Sequence, residues 1–450
     1  WTYVADVLPS RAQAGTAYVA FDGHRGGDYG TYVFTTTDFG ATWRSIVGNL
    51  PKGEVARGLA EDRRDPNILY LGTETALWVS WNKGGQWTRL KANLPTMPIY
   101  EIKQHPRDND LILASHARGI WILDDVSPIQ EWAKSESADA FLFSSEPATI
   151  MNQANDQMKG FEGDRLFLGL NPAPGATLAY RLKSDAKEVK LTIKDAGGAT
   201  IRELTGNDMR DRNKAGLNIV KWDLRIQPLR PLPPPPGAGG AGPAGGGGGG
   251  FGGGGINGPY VLPGTYRATL TVNGRDAQTI DVAVKGDPDI SITDADRRIW
   301  FDTARDLHQQ QEKANEVAEM VQNAFAQVQT LQAQARGGSL SGNAKQQLDA
   351  VVKEFEAVRR RLGLGGQGGG GGFGGNNENL RGRFGQLKGQ VMASTSMPTN
   401  TQLMQIREIK AALPGLIDQA NAAVAKVPAL VKELVGNGAI FPAIKPVPKG

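Results

Sequence analysis

Cysteine is missing from all 450 residues. Disulfides, thiol nucleophiles and cysteine-held metal centres are therefore excluded. No apolar run approaches the roughly 18 residues of a membrane span. No Ser-His-Asp pattern or nucleophile elbow is present. No Gly-Lys-Ser/Thr follows either glycine-rich tract, which removes the phosphate-cradling loop. Trp1 follows no initiator methionine or signal segment, an absence that says nothing about export. Basic charge is not concentrated either: the net charge is +4 and the pI about 9.0. The densest run, Arg359-Arg360-Arg361, has no interleaved aromatics and reads as a solvated helix face, not a nucleic-acid site.

What is there begins with Thr36-Thr37-Asp38-Phe39-Gly40-Ala41-Thr42-Trp43, an Asp-box of the form Ser/Thr-x-Asp-x-Gly-x-Thr-Trp. Asp38 is expected to accept backbone N–H bonds within a hairpin. Gly40 takes a conformation that a Cβ would penalise. Thr36 and Thr42 complete the motif, and Trp43 is expected to be an apolar anchor between neighbouring sheets. The motif builds a hairpin and is not catalytic.

Three segments repeat at about 43 to 45 residues, the period of propeller blades. They start at Ala17, Ile68 and Leu111. Asp38, Asn82 and Asp125 fall at one point of the repeat, and Trp43, Trp87 and Trp132 at another. Asn82, Gly84 and Trp87 are a weakened Asp-box. Asp65-Pro66-Asn67 and His105 to Asp110 are read as turns leading into the first strands of blades two and three. Three blades cannot close a ring, because propellers need four to eight. Further blades are therefore expected upstream or on another chain.

Asp22-Gly23-His24-Arg25, the complete Asp-box, Leu69 to Glu74, and His105-Pro106-Arg107 through Asp124-Asp125 stand in a fixed order. Together they resemble the last blades of bacterial BNR-repeat proteins with a sortilin/VPS10-like, sialidase-superfamily propeller, often labelled glycosyl hydrolases. The likeness covers the first third closely, and the order of the later domains also resembles that family. It implies secretion to the periplasm or cell surface and a propeller beginning upstream. It does not imply a reaction.

Val189 to Asp195 alternates as a half-buried strand, Thr200 to Leu204 pairs back, and strands follow at Gly216–Leu224, Pro263–Val272 and Gln278–Val284. This reads as an immunoglobulin-like β-sandwich. Its Gly216…Trp222-Asp223 and Pro263-Gly264-Thr265-Tyr266 pattern resembles the corresponding domain of the flagellar hook-capping protein. From Asp294 the periodicity becomes helical, with a cap at Thr293 or Asp294 and a stop at Gly337-Gly338. Further helices are expected near 343–362, 377–393 and from Thr399, with Pro414 and Pro428 kinking or dividing the last. The fold class is thus multidomain, β then α. The last three blades of a β-propeller occupy 1–140. The sandwich spans 160–290, with a Gly/Pro-rich insertion at 231–259. A helical bundle spans 294–450, with a Gly-rich loop at 363–375. Both tracts have linker composition, with Phe251 and Phe373 as anchors if they pack.

Candidate chemistry sits on the loops after the repeated strands: Asp22 to Asp28, Thr73 to Thr75 and Ser115 to Arg118. Glycoside hydrolysis needs two carboxylates at roughly 5 to 9.5 Å, which Glu74 with Asp22 or Asp28 would supply. His24, Arg25, His116 and Arg118 are candidate ligand contacts, with His24 and His116 at equivalent places. The competing structural role is to tie adjacent blades together. A metal site from His24, His116 and Asp28 lacks ligand spacing, and no cofactor is implied. Three functions remain open: a secreted propeller that binds a glycan, peptide or partner protein; a polysaccharide-active glycoside hydrolase; and a self-assembling surface component.

Overall fold

The computed structural model describes residues 2–151, 173–233, 255–336, 342–364, 379–435 and 445–448. The tips of both glycine tracts, with Phe251 and Phe373, and the Gly337-Gly338 stop lie outside these residues. The chain forms two compact units. One comprises 1–148, 175–222 and 265–284; the other comprises 149–174, 223–264 and 285–450.

The first unit opens with three antiparallel meanders. Sheet one holds β1 (Tyr3–Pro9), β2 (Ala17–Asp22), β3 (Tyr32–Thr36) and β4 (Arg44–Ser45). Sheet two holds β5 (Ala56–Glu61), β6 (Leu69–Thr73), β7 (Leu77–Ser80) and β8 (Thr88–Leu90). Sheet three holds β9 (Ile99–Gln104), β10 (Leu111–Ser115) and β11 (Ile120–Leu123). The repeat read from the sequence therefore starts at the second strand of each sheet. The turns at Asp65-Pro66-Asn67 and His105–Asp110 lie between first and second strands, not before the first. β5 escaped detection because all six of its residues are buried, which erases the alternation of a half-buried strand.

Sheet two is apolar on both faces. Leu59, Leu69 and Leu71 pack with Tyr18, Ala20 and Val33 of sheet one. Ala60, Tyr70 and Val79 pack with Ile99, Ile102 and Leu113 of sheet three. Sheet three approaches closely because Gly58 and Gly72 present no side chain. A methyl on Gly58 would lie 2.6 Å from the Tyr100 carbonyl oxygen, and one on Gly72 would collide with that of Ile99.

The Asp-box forms the expected hairpin. Asp38 accepts from the Thr42 amide at 2.9 Å, the Thr42 hydroxyl at 2.6 Å and the Thr36 hydroxyl at 2.7 Å. These bonds lower its carboxyl to about 2. Gly40 is left-handed at φ 87°. Asn82 repeats the scheme, accepting from the Gln86 amide at 2.8 Å, with Gly84 at φ 84°.

Trp43 departs from expectation. It is 45% exposed, whereas Trp87 is 2% exposed. Trp87 donates its indole N–H to the Ile46 carbonyl at 2.8 Å and exchanges backbone bonds with the Asn49 amide at 2.6 and 3.0 Å. Sheet one thus supplies the cover for Trp87, and among the described residues no sheet precedes sheet one to cover Trp43. Trp132 departs too. Two short helices, α1 (Ser127–Gln130) and α2 (Trp132–Ser135), follow β11 in place of a fourth strand. Trp132 stacks on Phe143 at 6.3 Å.

Two further antiparallel sheets complete this part. β12 (Ala140–Leu142), β14 (Ala176–Leu182) and β17 (Gly216–Trp222) form one, in that order. The other runs β13 (Ala148–Thr149), β19 (Arg275–Lys285), β18 (Gly264–Val272), β15 (Val189–Lys194), β16 (Thr200–Leu204). Trp222 meets Tyr266 edge to face at 5.3 Å, joining β17 to β18.

The second unit is helical: α3 (Asp294–Arg336), α4 (Gly342–Arg361), α5 (Leu380–Met392), α6 (Asn400–Ala425) and α7 (Val427–Val435). Its core joins Leu307, Val317, Val321, Phe355, Phe384, Ile409 and Leu416. Thr399 and Gln402 form a capping box that starts α6. Pro414 does not divide the helix, since α6 continues through it. Pro428 does mark a division, since it stands in the first turn of α7, where its missing N–H costs nothing. Among the described residues no helix is long and apolar enough to cross a membrane.

Trp87→Ala should cost about 3 to 5 kcal/mol, the usual loss for a buried tryptophan. Trp43→Ala should cost well under half of that. Urea unfolding of both variants, followed by circular dichroism, checks the contrast.

Candidate functional site

The first strands of the three sheets carry a shared irregularity. Register slips by one residue between Val4 and Asp6 in β1, between Ala56 and Gly58 in β5, and opposite the Ala114–Ser115 step in β9. The extra residues are Ala5, Arg57 and Tyr100. A bulge leaves its residue outside the ladder and re-aims its side chain. All three bulges lie at the sheet end where β2, β6 and β10 terminate.

Arg57 is 6% exposed and Asp22 is 2% exposed. Arg57 Nη1 donates to Asp22 Oδ2. Its Nε and Nη2 donate to Glu74 Oε2 at 2.9 and 2.6 Å. Its guanidinium lies 4.9 Å from the centroid of the Tyr100 ring, a contact worth about 1 kcal/mol. Tyr100 in turn lies 5.5 Å from the His116 ring. On the other side, the Asp22 carboxylate accepts from the His24 backbone N–H at 2.9 Å and from its Nδ1–H at 2.6 Å. One guanidinium thereby joins all three sheets.

Burial pushes the Asp22 carboxyl up. The His24 backbone N–H, the His24 imidazole and the Arg57 charge outweigh it and hold the carboxyl below its ordinary value. Burial also works against the Arg57 charge, but Glu74 and Asp22 overcompensate, and its pKa is raised. Asp22 is therefore a fixed anion, and in the neutral ring with its proton on Nδ1 facing Asp22 the His24 Nε2 is an acceptor. Among the described residues, neither His24 Nε2 nor Glu74 Oε1 meets a hydrogen-bond partner. Tyr100 is half-exposed beside them.

Of the residues singled out in the sequence, Asp22, His24 and Glu74 meet on Arg57, and His116 joins through Tyr100. Glu74 and His116 are the equivalent pair, each donating its amide to the residue before the first strand, Val55 and Pro98, at 3.0 Å. His24 sits one position further on, in a single 3₁₀ turn over His24–Gly26, because Gly23 fills the matching place. Asp28 is turned into its own loop, accepting from the Gly30 amide and the Tyr32 hydroxyl, each at 2.8 Å. Arg25 lies 5.5 Å from the Tyr3 ring, and Arg118 is exposed. No group of acidic and histidine side chains among the described residues is placed to hold a metal. Arg57 and Tyr100 were missed. The only trace of Arg57 was a single charge inside the run Val55-Ala56-Arg57-Gly58-Leu59-Ala60.

No family model matches the chain, and no curated protein matches it. Among solved structures, an ancestral GH74 enzyme is 26% identical over 26% of this chain and 14% of its own, with a TM-score of 0.22. The extracellular domain of a one-component system from B. thetaiotaomicron is 11% identical over 63% of this chain and 31% of its own, with a TM-score of 0.21. A polysaccharide lyase is 10% identical over 94% of this chain and 65% of its own, with a TM-score of 0.17. The chain spans less than a third of the length of either of the first two. None of these similarities is high enough to argue from.

Arg57→Met strands the buried Asp22 charge and should cost about 3 to 5 kcal/mol. Glu74→Gln, at a half-exposed partner, should cost about 1 kcal/mol or less. Adding Asp22→Asn to Arg57→Met should recover part of the loss. The stability that Asp22 contributes is complete above its ordinary value of 3.8 and disappears as pH falls through its lowered one. Urea titrations of the variants at neutral and acidic pH test both statements.

Proposed function

We propose that the three meander sheets are successive blades of a β-propeller, completed by blades outside this chain. The end lined by Arg57, Tyr100, Glu74, His24 and His116 is its ligand-binding face, and the ligand is a glycan. The supporting observation is the combination at that end of an aromatic ring braced by Arg57 with unoccupied acceptors on either side. A sugar offers apolar C–H faces for the ring and hydroxyl donors for Glu74 Oε1 and His24 Nε2. A resident arginine that already holds two carboxylates disfavours an anionic ligand. The remaining sheets, read as an immunoglobulin-like sandwich, and the helical bundle present this face at the cell exterior, as the family resemblance implies.

Hydrolysis by Glu74 with Asp22 or Asp28 is the less favoured reading. A glycosidase keeps one of its carboxyls protonated near neutral pH. Asp22 and Asp28 are both held below their ordinary values, Asp28 by the Gly30 amide and the Tyr32 hydroxyl, which leaves the acid role to Glu74, whose Oε2 is already taken by two N–H groups of Arg57.

A neutral-oligosaccharide panel, read by calorimetry and by release of reducing ends, tests this function. Saturable binding without cleavage is expected, weakened at least tenfold by Tyr100→Ala and severalfold by Glu74→Gln. No saccharide binding, or binding unchanged in Tyr100→Ala, would overturn it. Cleavage abolished by Glu74→Gln would establish the hydrolase instead.

A further inference from the structure

The second unit contains a buried amine–imidazole pair that the proposed function does not use. Lys388 of α5 is 1% exposed and His308 of α3 is 5% exposed. His308 Nε2 lies 3.0 Å from the Gln227 carbonyl oxygen. A carbonyl only accepts, so the proton is on Nε2, and Nδ1 is an acceptor. Lys388 Nζ lies 3.2 Å from that Nδ1 and 2.9 Å from the Gly255 carbonyl oxygen. Gln322 of α3 adds a third hold, donating to the Pro233 carbonyl at 3.0 Å.

These carbonyls belong to the two chain segments flanking 234–254. The segments pair with each other: Val261 N–H donates to Leu224, Ile226 N–H to Pro259 and Leu229 N–H to Ile256, at 2.8, 3.0 and 2.8 Å. The helices thus grip both arms of one ribbon by its main chain, and Lys388 and His308 are the titratable part of the grip. We propose that Lys388 and His308 form a pH-gated clamp that holds this ribbon on the helices when Lys388 is neutral and loosens when it is charged.

The donor count supports this. A neutral amine has two N–H groups for the two acceptors present. An ammonium has three, and its additional proton finds no acceptor among the described residues. The other groups around the amine also disfavour charge. Arg225, on the ribbon, carries like charge, and its guanidinium is held by the Gly258 carbonyl at 2.9 Å and lies 3.7 Å from the Tyr260 ring centroid. His308 faces Lys388 from α3 as a neutral ring. Carboxylates of the packed helices pair elsewhere, Asp306 of α3 with Lys410 at 2.6 Å and Glu408 of α6 with Arg383 at 3.1 Å. Burial first, then Arg225, brings Lys388 down from 10.5 to about 7. Burial, then Lys388, brings His308 from 6.5 to about 4.

Between about 7 and 10.5 the released lysine binds a proton that the clamped one does not, so the closed state gains stability as pH rises through that interval. Released His308 likewise binds a proton between about 4 and 6.5 that the clamped ring does not. Going from pH 8 to pH 6, opening should become about tenfold more frequent through Lys388 and about fourfold more through His308.

Amide hydrogen exchange at Ile226, Leu229 and Val261, corrected for intrinsic exchange rates, reads the clamp directly. The parent protein should lose about fortyfold protection between pH 8 and pH 6, and Lys388→Met should keep only the His308 share, no more than about fourfold. Constant protection in the parent protein, or the same loss in Lys388→Met, would overturn the proposal. Should Lys388→Met fail to fold, a nitrogen NMR titration of the lysine amines in the parent protein decides: a side chain titrating near neutrality at Lys388 supports the clamp, and one titrating near 10.5 refutes it.

Discussion

A guanidinium taken out of water has to be met by carboxylates, and in the β-rich unit this requirement falls on Arg57. Its charge is balanced by Asp22 from the end of one sheet and Glu74 from the loop of its own, while Tyr100 from the next sheet covers its face. The arrangement works only because the sheets stack closely, and they stack closely only because Gly58 and Gly72 leave room for the β9 main chain. Packing and electrostatics thus depend on each other here. The same glycine that follows the bulged arginine admits the strand bearing the bulged tyrosine.

The surface left open by this arrangement differs from its interior. Inside, the Arg57 charge is met by Asp22 and Glu74, and Asp22 is fixed as an anion. Outside, the groups left over are acceptors flanking an aromatic ring. On the proposed reading this surface takes a neutral, hydroxyl-bearing molecule, and both Asp22 and Asp28 are held below their ordinary values. The helical unit handles buried charge in the opposite manner. Among the described residues no carboxylate meets Lys388; burial, then the charge of Arg225, drives its amine towards neutrality, and it serves as a hydrogen-bond donor to main-chain oxygen.

Much of the architecture was legible in the residues. Asp38, Gly40 and Thr42 specify their hairpin through contacts no more than a few positions apart, and Asn82 with Gly84 does the same less completely. Thr399 and Gln402 mark the start of α6 for the same reason. Strands with one wet face, such as β15 and β17, showed themselves by alternation. β5 did not, because burial on both faces removes the alternation. Trp43 and Trp87 share a place in the repeat, yet only Trp87 is covered, since cover comes from a neighbouring sheet and not from the motif.

The candidate site was legible in halves. Asp22, His24, Glu74 and His116 could be found because the repeat places its loops at one end. Arg57 and Tyr100 could not, because a bulge is a property of pairing between strands and leaves no fixed mark along either one. Sequence by itself determined the hairpins, the helix caps and the order β then α, all set by interactions within a few residues. Tertiary structure alone decided which side chains meet at Arg57, which tryptophan is buried and which lysine loses its charge. Each of those depends on what a distant segment brings within hydrogen-bond reach and on how completely it excludes water.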